Sequence, residues 1–292
     1  MTPLIIVGGR SGTTLIMHLL STSGEVAMLR EYPYESQYLA YLLRWAQLVD
    51  QPFVEQDDWN LSIMLAGIRL PEGKIGSWPW PDRRMVDVPD GCATLTQRCL
   101  RGTWKAIAPI LGANGGLTEE DQPCEPKYFA EKCLLWVSDG IVRLLPSKRI
   151  YSIRDPRDIW LSIIAFDKKR GFYGFGRRPG QTERDFRADF VARLKPQLVA
   201  AGQVADSNDD IVVRYEDLVS DMEKQTRRLG KWLGVRFDHG CVERDREHFR
   251  HHMTSSTPEC SVARWKSAMS TEENRFFLDH LGPEMERLGY ET

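Results

Sequence analysis

Two patterns of hydrophobic residues alternate along the chain. Short unbroken apolar runs, such as the one that ends at Val7, are typical of strands buried on both faces of a parallel sheet. Longer stretches repeat their apolar residues three and four positions apart, which is typical of helices that pack on one side. We predict strands at residues 3–7, 127–131, 149–153 and 211–213. We predict helices at residues 14–21, 34–49, 57–69, 93–111, 134–145, 156–166, 183–200, 217–233 and 270–288.

Capping residues mark several of these helix boundaries. Asp155 followed by Pro156 is typical of a helix N-terminus, because the carboxylate accepts from the first free N–H groups and proline fits the first helical position. Ser270, with Glu273 three residues later, has the pattern of a capping box. Gly234 is typical of a helix C-terminus. We therefore expect helices to begin or end close to these residues.

The alternation of strands and helices predicts an α/β fold, with one P-loop-like parallel sheet and helices on both faces. The length fits a single domain over residues 1–292. Residues 36–126 depart from the alternation, because they are rich in proline and include the Trp78-Pro79-Trp80 triplet. We predict that this segment is an insertion of helices joined by irregular connections.

Composition and charge narrow the functional classes. The net charge is −2, so we expect no nucleic-acid or membrane-surface partner, since those require a basic excess. The first apolar run is too short for a secretory signal, and no stretch approaches the roughly 20 apolar residues of a membrane helix. The six cysteines form no CxxC pair, so we expect free thiols and no metal site. These observations together predict a cytoplasmic protein.

The most informative motif is a glycine-rich loop, Gly8–Thr14, between the first strand and the first helix. Glycines let the backbone curl so that several N–H groups point to one place, and the helix N-terminus adds a partial positive charge. Arg10 adds a cation, and the hydroxyls of Thr13 and Thr14 add donors. The loop therefore indicates an anion-binding site.

A nucleotide-triphosphate P-loop is one alternative for this loop. That motif, GxxxxGK[ST], has a lysine directly before the hydroxyl residue, where it helps to hold the β- and γ-phosphates. Here Thr13 follows Gly12 directly, and the cation, Arg10, precedes the glycine by two positions. A glycine turn with a surface arginine is the other alternative. The loop by itself leaves both open.

Two stretches resemble the nucleotide-binding motifs of sulfotransferases. Arg10-Ser-Gly-Thr-Thr14 resembles the 5′-phosphosulfate loop, in the arginine form seen in the tyrosylprotein and bacterial branches, and Arg149–Ser162 resembles the 3′-phosphate segment. The resemblance implies a site for 3′-phosphoadenosine 5′-phosphosulfate (PAPS) as donor, with adenosine 3′,5′-bisphosphate (PAP) as product and no metal. It assigns five loop residues to the phosphosulfate: Arg10, Ser11, Gly12, Thr13 and Thr14.

The same resemblance assigns four further residues to the nucleotide: Arg154, Ser162, Tyr215 and Arg264. A strand-end arginine can grip a phosphate with two hydrogen bonds, and a serine two turns into the next helix can face the same pocket. Tyr215 lies in residues 214–218, which resemble the family's RYEDL segment, and Arg264 lies in a late segment of the family pattern, 261–266. The alternatives are a salt bridge from Arg154 to Asp158 and a packing role for Ser162.

Sulfuryl transfer needs in-line geometry, stabilisation of the developing charge, and a base that takes the proton of the acceptor hydroxyl. Arg10 is the first candidate cation. Lys132 is the second, because Glu131-Lys132 lies where the family has an EK or KTP segment at a strand end, although the threonine and proline are missing here. The alternative is a solvated lysine paired with Glu131.

The resemblance also suggests a base. The tyrosylprotein branch uses a glutamate about 21 residues after the loop arginine, and Glu31 has that spacing from Arg10. Glu35 is the competing candidate, and the spacing favours Glu31. Two solvated glutamates on either side of Pro33 are the alternative for both.

We expect residues 36–126 to shape the acceptor pocket, with Trp78-Pro79-Trp80 as a candidate lid. The expected acceptor is a small molecule, such as a secondary metabolite or a carbohydrate, that reacts through a hydroxyl or an amine. Two other classes stay open. One is a nucleotide-dependent small-molecule kinase with a variant P-loop, and the other is a non-catalytic protein that keeps the fold.

Overall fold

The computed structural model of the protein describes residues 1–49, 92–115, 125–204, 209–245, 247, 251 and 253–292. The helix predicted at 57–69 and the Trp78-Pro79-Trp80 triplet lie outside these residues. The strands in chain order are β1 (Thr2–Val7), β2 (Val26–Ala27), β3 (Tyr128–Cys133), β4 (Lys148–Ile153) and β5 (Asp210–Arg214).

Helices follow most of these strands. They are α1 (Thr13–Ser21), α2 (Tyr38–Val49), α3 (Cys92–Gly115), α4 (Leu135–Leu144), α5 (Pro156–Arg170), α6 (Glu183–Gln203), α7 (Tyr215–Ser220), α8 (Met222–Leu233), α9 (Cys241–Arg244), α10 (Trp265–Ala268) and α11 (Thr271–Arg287). Within the described residues, no helix combines the length and the apolar character needed to cross a membrane.

The predicted capping residues form the expected bonds. The Asp155 carboxylate accepts from the Arg157 N–H at the start of α5, and Ser270 and Glu273 form a complete capping box at the start of α11. Gly234 ends α8 in the left-handed conformation, with φ 67°. Each of these boundaries is set by its local sequence.

The five strands form one sheet in the order β2-β3-β1-β4-β5, and every neighbouring pair is parallel. This confirms the predicted α/β fold with a parallel sheet. Because the strands are parallel, their carboxyl ends meet at one edge: Val7 is in register with Cys133 on one side and Tyr151 on the other. In open α/β sheets this edge is where ligands bind.

Buried apolar residues form one cluster on each face of the sheet. Successive residues of β1 point to opposite faces, so Ile5 and Val7 belong to one cluster while Leu4 and Ile6 belong to the other. Helices α2, α5, α6 and α11 contribute to the first cluster, and α1 and α8 contribute to the second. The sheet is therefore covered on both faces, as the unbroken apolar runs of its strands predicted.

Some elements differ from the predicted ones, and the helix predicted at 34–49 begins only at Tyr38. Helix α3 continues through Gly112, beyond its predicted end at residue 111, because its apolar face, including Trp104, packs on the core. The helix predicted at 217–233 is two helices, α7 and α8, because Asp221 leaves the helical conformation and caps α8 by accepting from the Lys224 N–H. Strand β2 was not predicted, since two residues are too short for a recognisable pattern.

An aromatic cluster joins α5, α6 and α11. The ring of Trp160 lies 5.3 Å from that of Phe186 and 6.5 Å from that of Phe277, centre to centre, and all three side chains are almost completely buried. Such pairs stabilise beyond the area that they bury. The cluster fixes the helix that follows β4, and with it the residues at the carboxyl edge of the sheet.

Truncation of this cluster gives a stability test. We expect Phe277→Ala to lower the free energy of unfolding by about 3–5 kcal/mol, because it leaves a cavity in the core. Arg275→Ala is the control: its side chain is 82% exposed, so the expected change is within about 0.5 kcal/mol. Denaturant unfolding followed by circular dichroism measures both. Equal midpoints for the two variants would contradict the packing described here.

Candidate active site

A cavity of about 1130 Å³ opens at the carboxyl edge of the sheet. It is lined by residues that follow four of the strands: Gly8 after β1, Leu134 after β3, Arg154 after β4 and Tyr215 after β5. Eight of the predicted site residues are among those that line it: Arg10, Gly12, Thr13, Thr14, Lys132, Arg154, Ser162 and Tyr215. The other three, Ser11, Glu31 and Arg264, are not.

The backbone curls sharply in the loop between β1 and α1. Arg10 and Gly12 both have positive φ, 57° and 93°, and the Gly12 carbonyl accepts the first helical bond of α1, from the Ile16 N–H. A Cβ at Gly12 would lie 2.6 Å from a carbon of the Tyr215 ring. Glycine is therefore required there both by conformation and by the close approach of the ring.

A hydrogen bond from strand β4 fixes this loop. The Ser152 hydroxyl donates to the Ser11 carbonyl at 2.7 Å, and both residues are fully buried. The Ser11 hydroxyl itself is buried and has no hydrogen-bond partner within the described part of the chain. A buried donor without a partner is costly, and an anion bound by the loop could accept from it.

Arg10 joins the two predicted motifs directly. Its guanidinium donates to the Ser162 hydroxyl through Nη2 at 2.8 Å and through Nε at 3.2 Å. The guanidinium carbon also lies 4.5 Å from the centre of the Phe166 ring, one turn further along α5. Burial, together with the charge of Arg154, lowers the pKa of Arg10 to about 10. Two side chains of α5 therefore hold the Arg10 guanidinium in place.

Arg154 lies at the end of β4 and is only 4% exposed. Its Nη2 donates to the Ser261 carbonyl at 2.6 Å, and its guanidinium carbon lies 4.6 Å from the centre of the Tyr215 ring. The Tyr215 hydroxyl in turn bonds the Ser261 hydroxyl at 2.9 Å. The residues after β4, the residues after β5 and the late segment of the chain therefore meet around one arginine.

Arg264 lies behind the cavity wall. Its Nη1 donates to the Thr254 carbonyl at 3.1 Å, and the Thr254 hydroxyl lies 3.2 Å from that of Ser162. Burial and the neighbouring charge of Arg154 lower the pKa of Arg264. Arg264 thus supports Thr254, a cavity residue that no motif in the sequence indicated.

Lys132 lies near the end of β3 and lines the cavity. Its ammonium donates to the Thr14 hydroxyl at 3.1 Å and forms an ion pair with Glu35 at 3.3 Å. Burial lowers the pKa of Lys132, and the Glu35 carboxylate partly offsets this effect. The alternative pairing with Glu131 is wrong, because adjacent residues of a strand point to opposite faces of the sheet.

The two candidate glutamates occupy different places. Glu31 is exposed, and its carbonyl accepts from the Tyr34 N–H at 2.7 Å in a turn that reverses the chain. Glu35 follows the turn and lines the cavity beside Lys132. The spacing in the sequence favoured Glu31, but the turn brings Glu35 to the cavity instead, so a role for Glu31 stays a prediction.

The cationic side chains that line the cavity, Arg10, Lys132 and Arg154, suit an anionic ligand. Arg10 belongs to the loop after β1, Lys132 to the end of β3, and Arg154 follows β4 and donates to the Arg10 carbonyl at 3.4 Å. The Nε of Arg154 and the Nη2 of Arg264 are buried and have no hydrogen-bond partner among the described residues. A buried donor without a partner is costly, and an anion in the cavity could accept from Arg154, which lines it.

Comparison with known proteins shows the family. The model of the sulfotransferase family matches residues 3–239 of the chain. The chain belongs to the sulfotransferase family. A search of curated protein sequences found no match.

Solved sulfotransferase structures share the fold of this family member. The sulfotransferase domain from the curacin biosynthetic pathway aligns with 99% of this chain and 98% of its own, at 16% identity and a TM-score of 0.51. The sulfotransferase domain from the Synechococcus PCC 7002 olefin synthase aligns with 100% of this chain and 95% of its own, at 16% identity and a TM-score of 0.54. At these identities the likeness concerns the fold alone.

The sulfotransferase motifs did not indicate one part of the site. Arg170, at the end of α5, lies 5.1 Å from the centre of the Phe166 ring and 5.0 Å from that of the Phe175 ring. Phe175 comes from the loop at 171–180, whose aromatic and glycine content is visible in the sequence. All three residues line the cavity. The content predicted a loop there but not the cavity beside it.

The loop geometry predicts how two glycines differ. We expect Gly12→Ala to destabilise the protein by about 1–3 kcal/mol, because alanine is strained at φ 93° and its Cβ would clash with Tyr215. Gly9→Ala is the matched control, since a Cβ there meets nothing within 4 Å. Thermal unfolding of both variants measures the difference. If Gly9→Ala were the more destabilised, the loop conformation described here would be wrong.

Proposed function

We propose that this protein transfers the sulfuryl group of PAPS to a hydroxyl or an amine of a small-molecule acceptor. The observation that carries the proposal is the contact of Arg10 with Ser162, which joins the loop after β1 and the helix after β4 around one cavity. A donor with a 5′-phosphosulfate and a 3′-phosphate needs two anion sites in one cavity. Adenosine triphosphate, which carries all its phosphates in one chain, needs only one anion site.

The residues divide between the two ends of the donor. Ser11, Gly12, Thr13 and Thr14, with Arg10, would bind the phosphosulfate through backbone N–H groups, hydroxyls and the guanidinium. The 3′-phosphate would lie against a second set that lines the cavity: Arg154, Ser162 and Tyr215. Arg264 would support this set from behind the wall through Thr254. When bound, PAPS supplies an activated sulfuryl group whose leaving group is a phosphate.

Charge stabilisation would come from Arg10 and Lys132. Arg10 lies in the loop, and Lys132 donates to the Thr14 hydroxyl beside it. Ser162 accepts from Arg10, and Glu35 accepts from Lys132. Cations fixed before the reaction stabilise developing negative charge without reorganisation. They would neutralise the phosphate oxygen as its bond to sulfur breaks and the bond from sulfur to the acceptor forms.

We assign the general base to Glu35 rather than to Glu31. Glu35 lines the cavity beside Lys132, and its side chain is 58% exposed. An exposed carboxylate at this place can reach an acceptor hydroxyl and take its proton. The ion pair with Lys132 keeps this carboxylate next to the proposed transfer point.

The wall beyond Glu35 supports a small-molecule acceptor. It is formed by apolar and aromatic side chains of α2 and of the β3–α4 junction, including Tyr41, Leu134 and Trp136, each of which is more than half exposed. Pockets for small molecules are concave and mostly apolar, with few polar groups. Secondary metabolites with an apolar body and one reactive hydroxyl fit this description.

Donor binding is tested by thermal shift. We expect PAP at about 100 times its Kd to stabilise the protein by about 2.7 kcal/mol, and ATP with magnesium to give a much smaller shift. Arg10→Ala should remove most of the PAP shift, and Arg227→Ala, a 72% exposed position on α8, should keep it. A larger shift with ATP and magnesium would favour the kinase alternative instead.

The base is tested by a matched pair of variants. We expect Glu35→Gln to lower kcat about a hundredfold or more, the scale of general base catalysis, and to leave the PAP shift intact. Glu31→Gln should keep kcat within a few-fold, because its side chain does not line the cavity. Transfer of labelled sulfate from PAPS across a panel of hydroxylated metabolites provides the assay.

The opposite result would restore Glu31 as the base. PAP binding without transfer to any acceptor in the panel would favour the non-catalytic alternative.

A further inference from the structure

We infer that Glu131, to which no role is assigned above, is a positioning residue that holds the segment carrying Glu35 at the reaction site. The inference rests on the proposed function, since it concerns the residue assigned there as the base. Glu131 lies near the end of β3 and its side chain is 0% exposed. A fully buried glutamate needs a reason, because acidic residues are rarely buried without partners.

The alternation of β3 directs Glu131 away from the cation site. Phe129 and Cys133, two residues on either side, belong to the core cluster on the α2 face of the sheet. Glu131 therefore points towards α2, while Lys132 points to the opposite face and meets Thr14 of α1. One strand end thus reaches two layers of the fold.

Both carboxylate oxygens of Glu131 accept short hydrogen bonds. Oε1 accepts from the Ser36 hydroxyl at 2.6 Å, and Oε2 accepts from the Leu39 N–H at 2.6 Å. Leu39 lies in the first turn of α2, where N–H groups have no partner within the helix and favour a negative charge. Glu131 therefore caps α2 from a distant strand. Burial raises the pKa of this carboxyl, and the bonds to Ser36 and Leu39 oppose the rise.

These bonds fix the chain immediately beside Glu35. Ser36 is bonded to Glu131 and Glu35 is paired with Lys132, so two consecutive residues of the segment are held by two consecutive residues of β3. The hold also extends to α2, because Leu39 precedes the cavity residues Ala40 and Tyr41 directly. Without these bonds, the exposed Glu35 carboxylate would sample many positions. A displacement of a catalytic group by about 1 Å from its productive position can lower the rate substantially.

If residue 131 had only to fill the core, a carboxylate would not be needed there. A leucine at 131 would suit the surrounding core, and apolar replacements of buried charged groups are often neutral or stabilising. It would not hold Ser36, however, and it would leave the Leu39 N–H without an acceptor. The carboxylate is therefore explained by what it holds, and variants can separate the two roles.

The central experiment is a double-mutant cycle between Ser36 and Glu35. We expect Ser36→Ala to lower kcat about tenfold with an unchanged PAP shift, because it frees the segment and leaves the nucleotide site intact. In the Glu35→Gln background the same substitution should lower kcat no further, because glutamine cannot act as the base wherever it is positioned. Ser220→Ala, at an exposed serine on α7, is the matched control and should keep wild-type kcat.

Substitutions at Glu131 add a conservative rescue. Glu131→Gln should keep kcat within about threefold, because its amide oxygen can accept from Leu39 while its amide nitrogen donates to Ser36. Glu131→Leu should lose kcat at least as strongly as Ser36→Ala. If the leucine variant fails to fold, the cycle at Ser36 decides alone.

Two results would overturn the inference. One is a wild-type kcat in Ser36→Ala, and the other is an equal loss of kcat in both Glu35 backgrounds. Failure of the proposed function looks different, because it appears as an absent PAP shift or as full activity in Glu35→Gln. Amide hydrogen exchange at Leu39 measures how firmly Glu131 holds this segment, and it needs no activity assay. Faster exchange at Leu39 in Ser36→Ala would support the inference, and unchanged exchange would overturn it.

Discussion

The parallel arrangement of the sheet is the constraint on which the site depends. Because β1, β3, β4 and β5 run in the same direction, segments that are far apart in the chain all leave the sheet at one edge. Arg10, Lys132, Arg154 and Tyr215 each follow or end a different strand. None of these elements forms a binding site alone, and a change in the order or direction of one strand would separate the charges that the cavity brings together.

Crowding of cations is the second constraint. Burial lowers the pKa of Arg10, Lys132 and Arg264, and neighbouring cations lower each of them further. The protein holds these groups with hydroxyls, carbonyls and aromatic rings, and Glu35 is the carboxylate that pairs with Lys132. Repulsion among fixed cations is relieved when an anion enters, so part of the binding energy for an anionic ligand is already built into the fold.

The sequence predicted most of the fold because the strands are unbroken apolar runs and the helices carry local caps such as Asp155 and Ser270. The loop after β1 and the segment after β4 were recognisable in the sequence because each is a short contiguous pattern. Features set by tertiary contacts were not readable: the two-residue strand β2, the break at Asp221, and Thr254 in the cavity wall. The choice between Glu31 and Glu35 depended on a turn, and spacing alone could not determine which carboxylate reaches the cavity.

The ring of Phe166 beneath Arg10 has one more consequence. A carboxylate in that place would orient the guanidinium equally well but would cancel its charge and compete with any incoming anion. An aromatic face attracts the cation through its quadrupole and leaves the net charge unchanged. The Phe166 ring thus orients the Arg10 guanidinium and leaves its positive charge available to an anion. A polar residue in place of this ring would have to preserve the electrostatics of the cavity as well as its shape.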